Sequence, residues 1–282
     1  MSILQNLHTH CEWCDGRNTA EEIIRSAIEM GVDSLGFSAH STLPFRKQVK
    51  TMPNHEIPQY RRYIRSLAET YKDQIEILCG LELDVNADVE DLDFDYLIGA
   101  VHAVEIGGEP ALFLPKAENA KRELDTYFDG SFLKCARMYY ELLCELPARA
   151  NIDIIGHFDL VTKNAECTDL FDQDDPRYRR YALEAVDSLA GKIPLFEINT
   201  GSVARGYRET PFPAPFLLEA LQKKGFGAVI TSDCHYANQV LFGFADAKER
   251  LLAAGFREVY VYTKNGFRAI PLDTLRLPPE AY

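Results

Sequence analysis

Seven histidines, His8, His10, His40, His55, His102, His157 and His235, are spread along a chain of 282 residues. All but His55 stand at the exit of a short apolar run or a residue or two beyond it. His8 and His10 form H-T-H after the first run. Period-two spacing puts both imidazoles on one face of an extended chain, where both can grip a single ion. His40 ends F-S-A-H, His102 lies in V-H-A-V, His157 follows I-D-I-I-G and His235 closes S-D-C-H. Carboxylates accompany them: Asp15 just after H-T-H, Glu82 in G-L-E-L-D and Asp233 in S-D-C-H. Neutral imidazole and carboxylate suit zinc, manganese or iron. Nine such groups are too many for one tetrahedral zinc, which takes four ligands. Two or three divalent or trivalent ions are therefore expected, with at least one carboxylate bridging. Any one of these histidines alone reads as an ordinary polar group at a strand end; the weight lies in their shared position. His55, in P-N-H-E, does not share it and reads as a surface histidine.

The elements that must position these groups are short strands alternating with helices. Strands are expected over residues 3–7, 34–39, 75–85, 96–104, 152–157, 193–199 and 228–232, from their short apolar runs. Asn18-Thr19 opens a first helix, with Glu21 and Glu22 in its first turn and Gly31 as its stop. Further helices are expected over 59–72, 132–146, 177–190, 215–224 and 239–254. Residues 107–130, with Gly107-Gly108, Pro110, Pro115 and Gly130, read as a lid-like loop insertion. Near the C-terminal end, Asn265-Gly266 predicts a hairpin across 258–272. The alternation argues for a parallel α/β architecture. Polar residues recur at the ends of nearly every strand, which favours a barrel over an open sheet. The expected fold is one α/β barrel domain across residues 1–282, with seven strand-helix units.

Composition narrows the partners. Net charge is −13, with 46% hydrophobic and 26% charged residues. An acidic surface argues against nucleic acid or an anionic membrane as partner. No apolar run approaches the ~18 residues of a membrane span, and no secretory signal pattern is apparent at the start. The seven cysteines are odd in number and scattered, which reads as reduced thiols in a cytoplasmic protein. Cys11-Glu-Trp-Cys14 is a C-x-x-C without a second pair, in a loop after a strand, so neither redox chemistry nor zinc is assigned to it; Cys234 reads as buried beside the site and inert. An acidic protein that binds an anion needs concentrated positive charge, which bound ions supply. Oligomeric state is left open.

The segments H-T-H-C-E-W-C-D-G-R-N-T-A-E-E, F-S-A-H-S, G-L-E-L-D, V-H-A-V, G-H-F-D-L, E-I-N-T-G and S-D-C-H, in that order, resemble the polymerase and histidinol phosphatase (PHP) family. Within it, the resemblance is to the PHP-type histidinol-phosphatases. It spans residues 8 to 235 and implies a distorted (β/α)7 barrel with a trinuclear metal site. By that resemblance His8, His10, Glu82 and Asp233 hold one ion. Glu82, as a bridge, holds a second with His102 and His157, and Asp15, His40 and His235 hold the third. Lys163 and Arg205, in loops leaving the same barrel face, correspond to basic residues that contact the substrate phosphate. Many similar members carry Arg where Lys163 stands. Ser202 could add a hydrogen bond, Arg208 is a weaker candidate, and Asn199 and Glu197 read as supporting residues. The implied reaction is hydrolysis of L-histidinol phosphate, with Arg205 stabilising the phosphate and Asp15 or His235 offered as the group that manages the leaving-group proton. The substrate's imidazole and amine would rest against the 107–130 insertion or near residues 40–44. Two alternatives remain: a PHP-type phosphoesterase for another small phosphate ester or nucleotide, and a metal-dependent amidohydrolase, which would need no phosphate-gripping cations. An inactive barrel is disfavoured because the set of nine is complete.

Overall fold

In the computed structural model, residues 3–43, 50–112, 117–170 and 172–278 are described. Pro44 and Pro115, part of the expected lid regions, lie outside them. The chain runs β1 (Gln5–Asn6), α1 (Ala20–Glu29), β2 (Ser34–His40), α2 (Ile57–Tyr71), β3 (Glu76–Asp84) and β4 (Tyr96–Ala100). A hairpin, β5 (Ala103–Ile106) and β6 (Glu109–Leu112), precedes α3 (Ala117–Tyr127), α4 (Phe132–Leu143) and α5 (Leu146–Arg149). Then come β7 (Ile154–Ile155), α6 (Pro176–Leu189), β8 (Leu195–Asn199), α7 (Gly201–Ala204), α8 (Pro215–Lys223), β9 (Gly227–Thr231) and α9 (Phe244–Ala253). A last hairpin pairs β10 (Glu258–Thr263) with β11 (Gly266–Pro271).

Seven strands form one parallel sheet in the order β1-β2-β3-β4-β7-β8-β9. Its ends meet where Thr9 bridges to Cys234 in parallel. There His10 N–H donates to Cys234 O at 2.9 Å, and Cys234 N–H to His8 O at 3.3 Å. The result is a nearly closed seven-stranded barrel with helices between its strands. The residues that close it are the H-T-H and S-D-C-H segments themselves, so barrel closure and assembly of the site are one event.

Inside, Leu7, Leu78, Tyr96, Ile98, Ile154, Leu195 and Val229 form a buried cluster drawn from or adjoining six strands. Tyr96 is its largest member. Its ring fits because β2 and β3 present glycine to it: a Cβ on Gly36 would lie 2.2 Å from Tyr96 Oη, and one on Gly80 2.3 Å from Cζ. The β10–β11 hairpin packs Tyr260, Tyr262 and Phe267 on the same cluster. It is pinned there by Gln5, whose Oε1 accepts from Tyr262 N–H at 2.7 Å and whose Nε2 donates to Tyr262 O at 3.0 Å. One mouth of the barrel is thus plugged with apolar rings, and the polar strand ends are left at the other. Outside, α2 lays an apolar stripe on the strands, Ile57, Tyr60, Ile64, Leu67 and Tyr71, spaced by three, four, three and four. Thr19 caps α1 in a reciprocal box with Glu22.

Two expectations need correction. The strand expected over 96–104 stops at Ala100, and the chain turns at His102 into the β5–β6 hairpin. The described part of 107–130 is not a loop throughout: Gly107 and Gly108, both at positive φ, turn that hairpin, and Ala117–Tyr127 is helical. The glycines and prolines only bracket A-E-N-A-K-R-E-L-D-T-Y, which is rich in strong helix formers, and buried Leu124 and Phe128 anchor the segment. Among the described residues no helix is long and apolar enough to cross a membrane.

Candidate metal centre

All nine expected ligand residues come together at the C-terminal ends of the strands. Glu82, near the end of β3, is the hub. Its Oε1 lies 2.9 Å from His157 Nε2 and 3.1 Å from His102 Nε2. Its Oε2 lies 2.6 Å from His40 Nδ1, 3.5 Å from His8 Nε2 and 3.6 Å from His10 Nε2. Asp233 Oδ1 stands 3.1 Å from His10 Nε2, 3.7 Å from His8 Nε2 and 3.6 Å from His235 Nδ1. Asp15 Oδ1 faces His235 Nε2 at 3.2 Å and His40 Nε2 at 3.5 Å. Asp233 sits at φ 45, a left-handed conformation that a β-carbon disfavours; such strain is held where surrounding structure over-determines it, often at functional sites. His55 is exposed beside Glu56, away from this group.

Among the described residues, three sets of side chains have ligand atoms close enough to share a cation: His10, Asp15, His40 and His235; His8, His10 and Asp233; and His40, Glu82 and His102. The grouping differs in detail from the one the resemblance implies. His10 joins two sets, and His40 joins Glu82 and His102, while His157 reaches the cluster through Glu82.

Electrostatics support a cationic occupant. Burial penalises charge on Glu82 and Asp233, yet His40, His102 and His8 hold Glu82 well below the usual carboxylate range, and Arg205 and His8 do the same for Asp233. Asp15 is likewise depressed, against its burial, by His40 and His235. The imidazoles split. Burial, with His235 and His40 beside it, lowers His10 to about 3. On His102 burial is outweighed by Glu82 and Asp84, which raise it to about 9. On His8 burial is outweighed by Glu197, Asp233 and Glu82, which hold it well above its ordinary value. A pocket that keeps several buried carboxylates ionised has charge to give to cations. The decisive test is hydrogen bonding. Buried polar atoms are normally paired, but His8 Nε2, His10 Nε2, Asp15 Oδ1 and Glu82 Oε2 are buried without a hydrogen-bond partner. All four point into the same cluster. Imidazole nitrogens and carboxylate oxygens left unpaired against one another fit metal ions.

Two carboxylates orient the rings: Glu197, expected as a supporting residue, and Asp84, which sequence reasoning did not single out. Glu197, in β8, places Oε2 2.8 Å from His8 Nδ1 and accepts there from Thr231 Oγ1 at 2.8 Å. Its Oε1 accepts from His157 N–H and from Asn199 Nδ2, each at 2.7 Å. Asp84 Oδ2 lies 2.9 Å from His102 Nδ1 and accepts from His102 N–H at 2.9 Å. With Nδ1 turned to a carboxylate, the Nε2 lone pair is free for an ion. The available signal was period two: Asp84 is two residues from Glu82, and Glu197 two from Asn199, so each pair shares one face of its strand.

Of the basic candidates, Arg205 is built into the cluster. Its Nη1 donates to Asp233 O at 2.7 Å and approaches His235 Nδ1 at 2.9 Å, while Nη2 pairs with Asp233 Oδ2 at 2.9 Å. Ser202, one residue past the Gly201 that packs on Asp233, is buried with an unpaired Oγ. Lys163 holds Nζ 4.7 Å from the centre of the Tyr207 ring, on the loop that carries Arg205. Arg208 is withdrawn as a candidate. Its guanidinium is buried on Phe212 and engaged by Thr162, Glu166 and Thr210, so it ties two loops together.

Comparison with known proteins agrees with this geometry. Residues 6–201 match the model of the PHP domain. The chain is 30% identical over 271 residues to a probable histidinol-phosphatase of Deinococcus radiodurans, covering 92% of this chain and 96% of that protein. It is 23% identical to a histidinol-phosphatase of Lactococcus lactis, covering 92% and 93%. A crystal structure of a histidinol phosphate phosphatase from Lactococcus lactis, complexed with zinc, L-histidinol and phosphate, superposes with a TM-score of 0.71 at 20% identity over 95% of this chain and all of that one, which shows the shared fold. Barrel, strand-end cluster and sequence match together place this chain in the PHP domain family.

Proposed function

We propose that the protein is a metal-dependent phosphomonoesterase whose substrate is L-histidinol phosphate, released as L-histidinol and phosphate. The observation that carries the reading is the set of unpaired buried ligand atoms on His8, His10, Asp15 and Glu82, with the Arg205 guanidinium bound to the same Asp233 that faces them. The names of the relatives in Deinococcus and Lactococcus support the choice of substrate.

His8, His10 and Asp233 would hold one ion, Glu82 with His40, His102 and His157 a second, and Asp15 with His235 a third. When bound, zinc, manganese or iron would supply Lewis acidity to the phosphate and to an attacking water. The chain's own part is positioning and charge. Arg205, kept by Asp233 at the edge of the cluster, would grip phosphate oxygens with its planar fork, and Ser202 and Lys163 would add contacts from the two flanking loops. Asp15 and His235 are more open than the other ligands, with side chains 26% and 14% exposed. Being the ligands most open to solvent, they would manage the proton of the leaving alkoxide. Glu197 and Asp84 fix the rings of His8 and His102, so geometry is set before substrate arrives. The free thiols of the described cysteines accord with the cytoplasmic location we also propose.

The test is a comparison of kcat/KM for histidinol phosphate, nucleoside monophosphates and p-nitrophenyl phosphate, repeated with Arg205→Ala. Histidinol phosphate should be selectively favoured, and Arg205→Ala should lower its kcat/KM by about 10²- to 10³-fold. Equal turnover of all three esters removes the substrate assignment. Hydrolysis of amides that is indifferent to Arg205→Ala would move the protein to the amidohydrolases.

A further inference from the structure

His10 belongs to two of the three potential ion sites, and a neutral imidazole has one lone pair to give. Its two nitrogens face different partners. Nε2 lies 3.1 Å from Asp233 Oδ1 and 3.6 Å from Glu82 Oε2. Nδ1 lies 3.9 Å from Asp15 Oδ1, too far for a hydrogen bond, and 3.3 Å from Cys14 Sγ. Where the rings of His8 and His102 turn Nδ1 to a carboxylate, His10 turns it to a thiol.

The sulfur is placed by the loop after β1. Cys14 N–H donates to Cys11 O at 3.0 Å. The loop then folds back so tightly that a Cβ on Gly16 would lie 2.4 Å from Cys11 Cα and from the carbonyl carbon of His10. Cys14 is buried by this turn. The C-x-x-C therefore has a geometric role in the structure although the reaction assigned above does not use its sulfurs.

We propose that Cys14 is a positioning residue for His10. Its sulfur accepts a hydrogen bond from Nδ1–H, so that His10 gives its Nε2 lone pair to the ion shared with His8 and Asp233 and withholds Nδ1 from the set containing Asp15, His40 and His235. The opposite arrangement, with S–H donating to Nδ1, would put the ring proton on Nε2. That atom is buried and makes no hydrogen bond despite Asp233 beside it, as suits a lone pair aimed at a cation. A thiol is a weak acceptor and carries no charge; it orients the ring without adding another carboxylate to a pocket that already holds several. The proposal rests on the metal-centre reading.

The experiment uses the full-length protein loaded with zinc alone. Nitrogen NMR of ¹⁵N-histidine-labelled wild type should show His10 protonated at Nδ1 and ligating through Nε2. Zinc content by plasma mass spectrometry and zinc loss to a competing chelator are then measured for Cys14→Ala, Cys14→Ser and Cys11→Ala, with Tm of the metal-free forms as a check on folding. Cys14→Ala should lose one zinc about 10- to 100-fold more readily, as expected for removal of a group that orients a ligand. Cys14→Ser, whose hydroxyl can also accept from Nδ1–H, should recover much of that loss, and Cys11→Ala should match wild type. Wild-type zinc retention in Cys14→Ala, or a His10 Nδ1 without its proton, overturns the proposal. His10→Ala separates the two readings. If it loses zinc while Cys14→Ala does not, only the role of Cys14 falls. If it loses none, His10 is not a ligand and the metal-centre reading falls with it. Should Cys14→Ala fail to fold, the wild-type tautomer and Cys14→Ser decide.

Discussion

At the scale of single residues, chemistry is divided between groups that would touch an ion and groups that hold those groups still. Glu197 is the clearest of the second kind, because both of its oxygens are engaged, one beside His8 Nδ1 and the other on His157 N–H. Glu197→Gln keeps the volume but turns one acceptor into a donor, which then meets either His8 or the donors on the other side. Zinc affinity measured against a competing chelator should fall about 10- to 100-fold; an unchanged value would mean that the carboxylate does not orient His8. The ligand residues themselves were readable as types, since imidazoles and acids at the ends of successive strands are informative before any coordinates exist. The division of labour among carboxylates was readable only in outline: Glu82 was separated from Glu197, but Asp84 was not singled out. Which imidazole an acid holds is decided by a few ångströms of packing, so the pairing of Glu197 with His8 and of Asp84 with His102 exists only once the barrel closes.

At the scale of elements, the strands deliver these side chains only if the barrel wall has the right thickness. Tyr96 occupies the interior at the expense of any side chain on Gly36 and Gly80. Gly80→Ala should force the ring aside and lower stability by about 1–3 kcal/mol, the range for overpacking a dense core, read as a shift in urea midpoint at constant slope. An alanine tolerated without loss would mean that Tyr96 has room to move. Most strands were legible as apolar runs, and their ends fall within a few residues of expectation. The 107–130 segment was misread because glycine and proline mark where elements are punctuated, not what lies between them. The helix inside it owes its place to Leu124 and Phe128 packing on the barrel, contacts that sequence spacing alone does not reveal.

At the scale of the whole molecule, a chain of net charge −13 gathers buried carboxylates in one pocket, so bound cations should stabilise the fold as well as serve the reaction. Binding to the folded state alone adds about 2.7 kcal/mol when free metal is a hundred times Kd. Rigorous chelation should therefore lower Tm by several degrees, and zinc should restore it, as followed by calorimetry. The ligands must be deprotonated to bind, and in the ion-free fold, against burial, Glu82 and Asp84 hold His102 at about 9, so the zinc-dependent part of Tm should shrink as pH falls below about 9. A Tm indifferent to chelation at neutral pH would show that no ion is stably held.

The sequence by itself determined the alternation of strand and helix, the acidic balance and the residue types able to bind metal, because each of these follows from local pattern and side-chain chemistry. Tertiary structure decided what depends on distance across the fold. His8 and Asp233 lie 225 positions apart and become neighbours only through the Thr9–Cys234 bridge. That closure sets which imidazoles share a carboxylate, which arginine reaches the cluster and which is consumed between loops. No local rule encodes such choices, because they rest on the balance of packing around the whole barrel.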